Sequence, residues 1–352
     1  MLIVVKIGTN VLSLENGLLD LATLGHLCTQ IADIKQLGHQ VIVVTSGAVG
    51  AGRKLFPNLN DKNKVEQRQV LAAVGQIRLM NTYMQMFEQY GLHVAQILAT
   101  KEDFRDRHHY LNMRNCFTAL LHDNIIPIVN ENDVIAVTEL MFTDNDELAG
   151  LVAAMTNANM LIILSNIEGV YNGNPNESDS YLLHEIEAND KQVLSVAAPV
   201  KSSFGRGGMT TKLRIAQKAA QVGIETYIAN GKKQNVLKQI LSEEKIGTHF
   251  IAEKNLSNLK KWLVYNQLGK KSVIFVNSGA ETALKNQNSS LLPIGVTKIE
   301  GDFSKGDLVN IFNEKQEQIG VGMAQYNSAV LERSMGKANK KEVIHCDYLV
   351  IV

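Results

Sequence analysis

Over the first 250 positions, apolar residues come in short unbroken runs separated by longer amphipathic stretches. The runs are LIVVKI (2–7), QVIVVT (40–45), HVAQIL (93–98), IIPIV (125–129), MLIILS (160–165) and IETYIA (224–229). Short runs without polar alternation, rich in β-branched residues, predict strands buried on both faces of a sheet. The stretches between them carry a different period. In 20–37, Leu21, Leu24, Leu27, Ile31, Ile34 and Leu37 recur at helical spacing behind Asp20, a suitable N-cap. Strand and helix therefore alternate, which predicts an α/β fold: a mostly parallel open sheet in an α-β-α sandwich. Near residue 130 the alternation breaks, and NENDVIAVTELMFTDND reads as a polar turn with a hairpin-like excursion before the next helix.

Past residue 251 the texture changes. A polar stretch, AEKNLSNLKKW (252–262), gives way to short strand-like runs with frequent glycine, among them SVIFVNSGA and EQIGVGMAQY. The expected division is an α/β domain over 1–251, a linker over 252–270, and a small β-rich, barrel-like domain over 271–352.

Composition narrows the partners more than the fold. Thirty-five Lys and Arg balance thirty-five Asp and Glu over 352 residues, so no polyanion or membrane surface is indicated. Cys28, Cys116 and Cys346 lie far apart, without disulfide or metal spacing. No apolar run approaches the ~18–20 residues of a membrane span, and the opening MLIVVKIGTN is too short for a signal-peptide core. A cytoplasmic, soluble protein is expected.

In open α/β sheets, ligands bind beyond the carboxyl ends of the strands. Here those positions are polar and glycine-rich: Lys6 to Asn10 after the first run, TSGAVGAGR (45–53) after the second, NEND (130–133) after the fourth, and SNIEG (165–169) after the fifth. Taken singly, each has an ordinary reading as a solvated lysine, a helix-packing glycine motif or an Asx-rich turn. TDND (143–146) reads as an N-cap with acids in the first helical turn. GGMTTK (207–212) opens a helix as phosphate cradles do, with glycine letting an anion reach unpaired N–H groups. Lys212 adds a mobile point charge, and Lys6 a second cation from a distant strand. Two cations on one phosphoryl group suit phosphoryl transfer, where catalysis is mostly positioning and charge stabilisation.

With these residues assembled, the chain resembles the amino-acid kinase superfamily, and within it the glutamate 5-kinases. The resemblance rests on VVKIGTNVL, VTSGAVGAGR, LAAVGQ, NENDVI, DNDELAGLVA, GGMTTKLRIA, SSLLPIGV and EVIH, in order along nearly the whole chain. The C-terminal segment resembles a PUA domain. The resemblance implies transfer of the γ-phosphoryl group of ATP to the side-chain carboxylate of L-glutamate, giving L-glutamyl 5-phosphate at the first step of proline biosynthesis. It implies Mg²⁺ with the nucleotide, feedback inhibition by proline, and a homo-oligomer, dimer or tetramer. By motif, Lys6 and Lys212 take the role of catalytic lysines and Asp146 that of holding them. Ser46, Asn130, Asp133 and Asn145 would bind glutamate. Lys6, Ser165, Asn166 and the loop Arg206, Gly207, Gly208, Met209, Thr210, Thr211 and Lys212 would bind ATP. No residue is assigned to a metal.

The chemistry agrees with this inventory. A glutamate carboxylate, with a pKa of about 4.3, is already ionised and needs no general base. The obstacle is repulsion between two anions, which lysines and a divalent cation reduce. Asp133 suits an α-ammonium and the Asn145 amide an α-carboxylate. Three positions depart from the family pattern: Ser165-Asn166 stands where Thr-Asp is usual, Arg206 precedes the glycine pair, and Thr143 replaces a common glycine. The rival class is an RNA-associated protein. Nine Lys or Arg against nine Asp or Glu in 271–352 leave it no basic surplus, so RNA binding is not expected.

Overall fold

The computed structural model describes every residue except 54, 57–62, 137–141, 143, 176, 191–192, 194–207, 254–255, 266–271, 288, 339–340 and 352. The chain divides into two compact units, Met1–Asn255 and Leu256–Val352.

The first unit is built on eight strands: β1 (Leu2–Ile7), β2 (Gln40–Val44), β3 (Val94–Ala99), β4 (Ile126–Glu131), β5 (Met160–Ser165), and, after a small ribbon of β6 (Val170–Tyr171) and β7 (Leu182–Leu183), β8 (Glu185–Glu187), β9 (Glu225–Asn230) and β10 (Thr248–Ile251). Their order in the sheet is β3-β4-β2-β1-β5-β9-β10-β8, and the first six are mutually parallel. Strand β10 runs antiparallel to β9. All six apolar runs become strands. Five of them are mostly or wholly buried, but β3 is not: it pairs only with β4, and Leu98 is exposed. Expecting burial on both faces fails there because an edge strand has one neighbour. Between Glu131 and Asn145 no strand is found among the described residues, and residues 137–141 and 143 of the hairpin-like excursion lie outside them.

Alternation along β1 separates its two faces. Ile3, Val5 and Ile7 join one apolar core with Leu24, Leu27 and Ile31 of the helix Leu21–Gln36 and Leu79, Tyr83 and Phe87 of the helix Lys64–Glu88. Asp20 caps the first of these helices by accepting from the Thr23 amide, as the sequence indicates. Val4 and Lys6 fall on the opposite face, against which the helix Asn145–Thr156 packs.

The second unit carries a five-stranded sheet of β11 (Val273–Val276), β12 (Val296–Glu300), β13 (Leu308–Phe312), β14 (Gln318–Met323) and β15 (Leu349–Ile351), in the order β12-β11-β13-β14-β15. Ile274, Val276, Val309, Ile311, Ile319 and Val321 alternate inward to its core. A helix, Asn258–Tyr265, forms within the polar stretch expected to be a linker. It packs on β14 and β15 with Trp262 and Leu263 buried, so it belongs to this unit.

Candidate active site

The carboxyl ends of β4, β2, β1 and β5 are adjacent in the sheet and open onto a cavity of about 770 Å³. It lies where strand order reverses, with β2 on one side of β1 and β5 on the other, the position expected for ligands in such sheets. Lys6, Ser46, Asn130, Asp133, Asn145, Asp146, Ser165, Asn166, Gly208, Met209 and Lys212 all line it. Thr210 and Thr211 follow in the same helical turn but do not line the cavity. Arg206 and Gly207 lie outside the described residues, as does Thr143.

The centre of the site is a triad of charges. Asp146, fully buried in the first turn of its helix, places one carboxylate oxygen 2.5 Å from Lys6 Nζ and the other 2.5 Å from Lys212 Nζ. These groups come from a strand and two helix starts far apart in sequence. Burial and the neighbouring Lys212 charge lower the Lys6 pKa against the pull of Asp146. Burial also acts on Lys212, but its pairing with Asp146 outweighs that and holds the ammonium charged. For Asp146, the two lysines overcome burial and keep the carboxyl ionised. Asp144 is the N-cap of the helix that carries Asp146. Its Oδ1 accepts from the amides of Asp146 and Glu147, and burial with the Asp146 charge pushes its pKa up to about 6.

Beside Lys212, the helix Met209–Gln221 begins at Gly208, whose position has no side-chain cap. Its first-turn N–H groups are thus left for an anion, and the positive end of the helix dipole adds to them. The helix expected behind the glycine pair starts at Met209, directly after Gly208.

Glutamine, asparagine and acidic groups form the opposite end. Gly47 has φ +103°, a left-handed conformation that glycine takes without strain, and it turns the chain between β2 and the helix Ala48–Arg53. Asn145 Nδ2 donates to Thr45 O at 2.6 Å, Asn130 Oδ1 at 2.9 Å and Ser46 Oγ at 3.0 Å. A backbone carbonyl can only accept, so the amide orientation is forced. Both N–H donors of Asn145 are committed to the protein, which revises the expectation that they serve an α-carboxylate; the group left over is the carbonyl oxygen. Asn130 is tied in turn to Gln76.

Three participants were not singled out from sequence. Asp144 was read only as a cap, and Glu131 only as part of a polar turn. Arg68, on the helix Lys64–Glu88, bonds Asp133 Oδ1 at 2.5 Å and reaches Glu131 Oε2 at 3.4 Å. An arginine on the polar face of an amphipathic helix carries no local signal of this role. Burial pushes the Glu131 pKa up to about 7, with the Phe142 amide and Arg68 opposing and the Asp133 charge adding. Folded protein therefore holds this proton more tightly than the unfolded chain, and stability contributed by Glu131 falls as pH rises from about 4.5 to about 7. Relative to Glu131→Gln, the wild-type melting temperature is expected to drop across that window; a constant difference between the two proteins would contradict the assignment.

The comparisons with known proteins agree with this geometry. The amino acid kinase family model matches residues 1–230, and the PUA domain model matches 272–346. The chain is 46% identical over 353 residues to a glutamate 5-kinase of Bacteroides thetaiotaomicron, covering 99% of this chain and 98% of that protein. It is 47% identical over 356 residues to a glutamate 5-kinase of Chlorobaculum tepidum, covering 99% and 97%. Among solved structures, the UMP kinase from Bacillus anthracis is similar in fold, with a TM-score of 0.50 at 15% identity, over 72% of this chain and 96% of that one. The chain belongs to the amino acid kinase family and, within it, to the glutamate 5-kinases, with a PUA domain at its C-terminal end.

Proposed function

We propose that this cavity transfers the γ-phosphoryl group of ATP to the side-chain carboxylate of L-glutamate, with Lys6 and Lys212 flanking the transferred group. The observation that carries this reading is the buried Lys6–Asp146–Lys212 triad at the strand exits. Asp146 holds two ammonium groups close together, so that both can contact one phosphoryl group as charge builds on it. Because they are positioned before the nucleotide arrives, little reorganisation is needed during transfer. Gly208, Met209 and the helix they open take the nucleotide phosphates, together with Ser165 and Asn166. Asn166 keeps hydrogen-bonding capacity without the charge of the usual aspartate. Ser46, Asn130, Asp133 and Asn145 receive the amino acid, with Asp133 and the Asn145 carbonyl oxygen facing its ammonium group.

Mg²⁺ fits beside this arrangement at Asp144. Asp144 lines the cavity, and its buried Oδ2 accepts no hydrogen bond among the described residues. Hard divalent cations favour a carboxylate oxygen together with phosphate oxygens, and the ion would screen nucleotide charge there. Proline shares the α-ammonium and α-carboxylate of glutamate, so feedback inhibition at the amino-acid end belongs to the same reading. So do a homo-oligomeric assembly and a cytoplasmic location; among the described residues no helix is long and apolar enough to cross a membrane. The balanced charge of 271–352 favours a structural or regulatory PUA domain over an RNA-binding one.

Trapping the acyl phosphate with hydroxylamine tests the reaction directly. Product is expected with L-glutamate and not with N-acetylglutamate or aspartate, and proline should suppress it; absence of a glutamate-dependent signal would overturn the reading. Asp133→Asn is expected to raise the KM for glutamate about tenfold or more, the usual worth of a hydrogen bond to a charged group, with the KM for ATP unchanged. An unchanged glutamate KM would remove Asp133 from the substrate site.

A further inference from the structure

Arg68 brings a guanidinium to the amino-acid end of the cavity from the second turn of the helix Lys64–Glu88. Its side chain is 27% exposed, and both of its contacts, to Asp133 and to Glu131, leave from the single atom Nη2. Among the described residues, Nε and Nη1 make no hydrogen bond. A guanidinium offers five N–H donors, and those on Nε and Nη1 are uncommitted here. These donors are open while Nη2 is anchored.

The buried side-chain donors named above are already engaged. Asn145 spends its N–H donors on Thr45, Ser46 and Asn130. Lys6 and Lys212 are held by Asp146. Arg53 and Lys64 line the cavity too, but both are exposed to solvent and form no ion pair among the described residues. The local charges point the same way. Two carboxylates, Glu131 and Asp133, face one guanidinium, which leaves an excess of negative charge when both are ionised. An ammonium group entering beside Asp133 balances that excess, and a carboxylate entering beside it meets the uncommitted N–H donors of Arg68.

We propose that Arg68 determines acceptor specificity by binding the α-carboxylate of the amino acid, while Asp133 binds its α-ammonium. The Arg68–Asp133 pair is then a zwitterion acceptor that satisfies itself when empty. This inference rests on glutamate being the acceptor, and it extends that reading to a rule: acceptors need a free α-amino-acid head group, charged at both positions.

The test compares L-glutamate with L-isoglutamine, which keeps the γ-carboxylate and the α-ammonium but carries a neutral α-carboxamide. Wild-type protein, Arg68→Gln and Arg68→Lys are assayed with both, isoglutamine being read as a substrate and as a competitor of glutamate. Circular dichroism and melting temperature check that the variants are folded. Arg68→Gln is expected to raise the KM for glutamate roughly 10- to 100-fold, the range for a lost charge-assisted bond, with kcat and the KM for ATP little changed. The constants for isoglutamine should barely move, so the preference for glutamate over isoglutamine collapses. Arg68→Lys should fall between, since a lysine keeps the charge without the fork. Loss by the same factor toward both compounds would overturn the proposal and leave Arg68 as a positioning residue for Asp133, because the ammonium is common to both. An unchanged glutamate KM would overturn it as well. Wild-type protein that forms no acyl phosphate from glutamate would instead bring down the underlying reading, an outcome distinct from either.

Discussion

Lys212→Ala is expected to lower kcat about 10³-fold, comparable with removing a preorganised donor to a transition-state oxyanion. The fold should survive. Asp146 is completely buried, and a buried carboxylate left without a partner would be costly, but Lys6 still faces it at 2.5 Å after the substitution. What is lost is the second ammonium group on the transferred phosphoryl and the point charge at the start of the Met209–Gln221 helix. Lys6→Ala should behave alike. Asp146→Asn differs: both lysines keep their charges, lose their common anchor and repel each other. That variant should lose stability as well as rate. Melting temperatures and steady-state kinetics on the three proteins separate these effects. A Lys212→Ala protein with near-normal kcat would eliminate the triad as the catalytic centre.

The second large effect is structural. A methyl group added at Gly75 would sit 1.8 Å from Ala48 O and 2.5 Å from the Gly52 amide nitrogen, both backbone atoms. The reciprocal contact is as close, since a Cβ at Gly52 would lie 2.1 Å from Leu71 O. The helices Ala48–Arg53 and Lys64–Glu88 therefore touch backbone to backbone, and no flexible side chain can yield. Gly75→Ala must push them apart, at a cost expected to exceed ~3 kcal/mol, the upper range for overpacking. The displaced helix follows directly on Thr45 and Ser46, which accept the hydrogen bonds orienting Asn145. Glutamate binding should thus fail along with stability. Denaturant unfolding and the glutamate KM would show both changes; wild-type stability in this variant would mean that the two helices separate freely.

Much of this fold was legible in the chain because local chemistry acts locally. Each of the six apolar runs is a strand, since β-branched residues in short blocks suit a pleat buried between helices. Asp20 caps its helix as read, and Gly208 marks the start of another. Where sequence reading fell short, the missing information was a neighbour. Strand β3 looks like its companions but has a partner on one side only. The polar stretch 252–262 resembles a linker, yet Trp262 at its end and the adjoining Leu263 find a sheet to cover. Arg68 resembles any solvated arginine on a helix until Asp133, 65 residues further on, is placed against it.

The candidate site divides in the same way. Residue order determines which side chains stand at strand exits and helix starts, because element boundaries follow from short-range propensity, capping and glycine freedom. Lys6, Asp146 and Lys212 are thereby named as candidates, as are Asp133 and Asn145. That Asp146 lies between the two lysines was decided by strand order, which sets β5 and the two helix starts around the end of β1. The same packing turned the Asn145 donors inward and left the Nε and Nη1 donors of Arg68 uncommitted. Contacts between residues so far apart in sequence depend on how layers assemble, and no propensity within a short window carries that information.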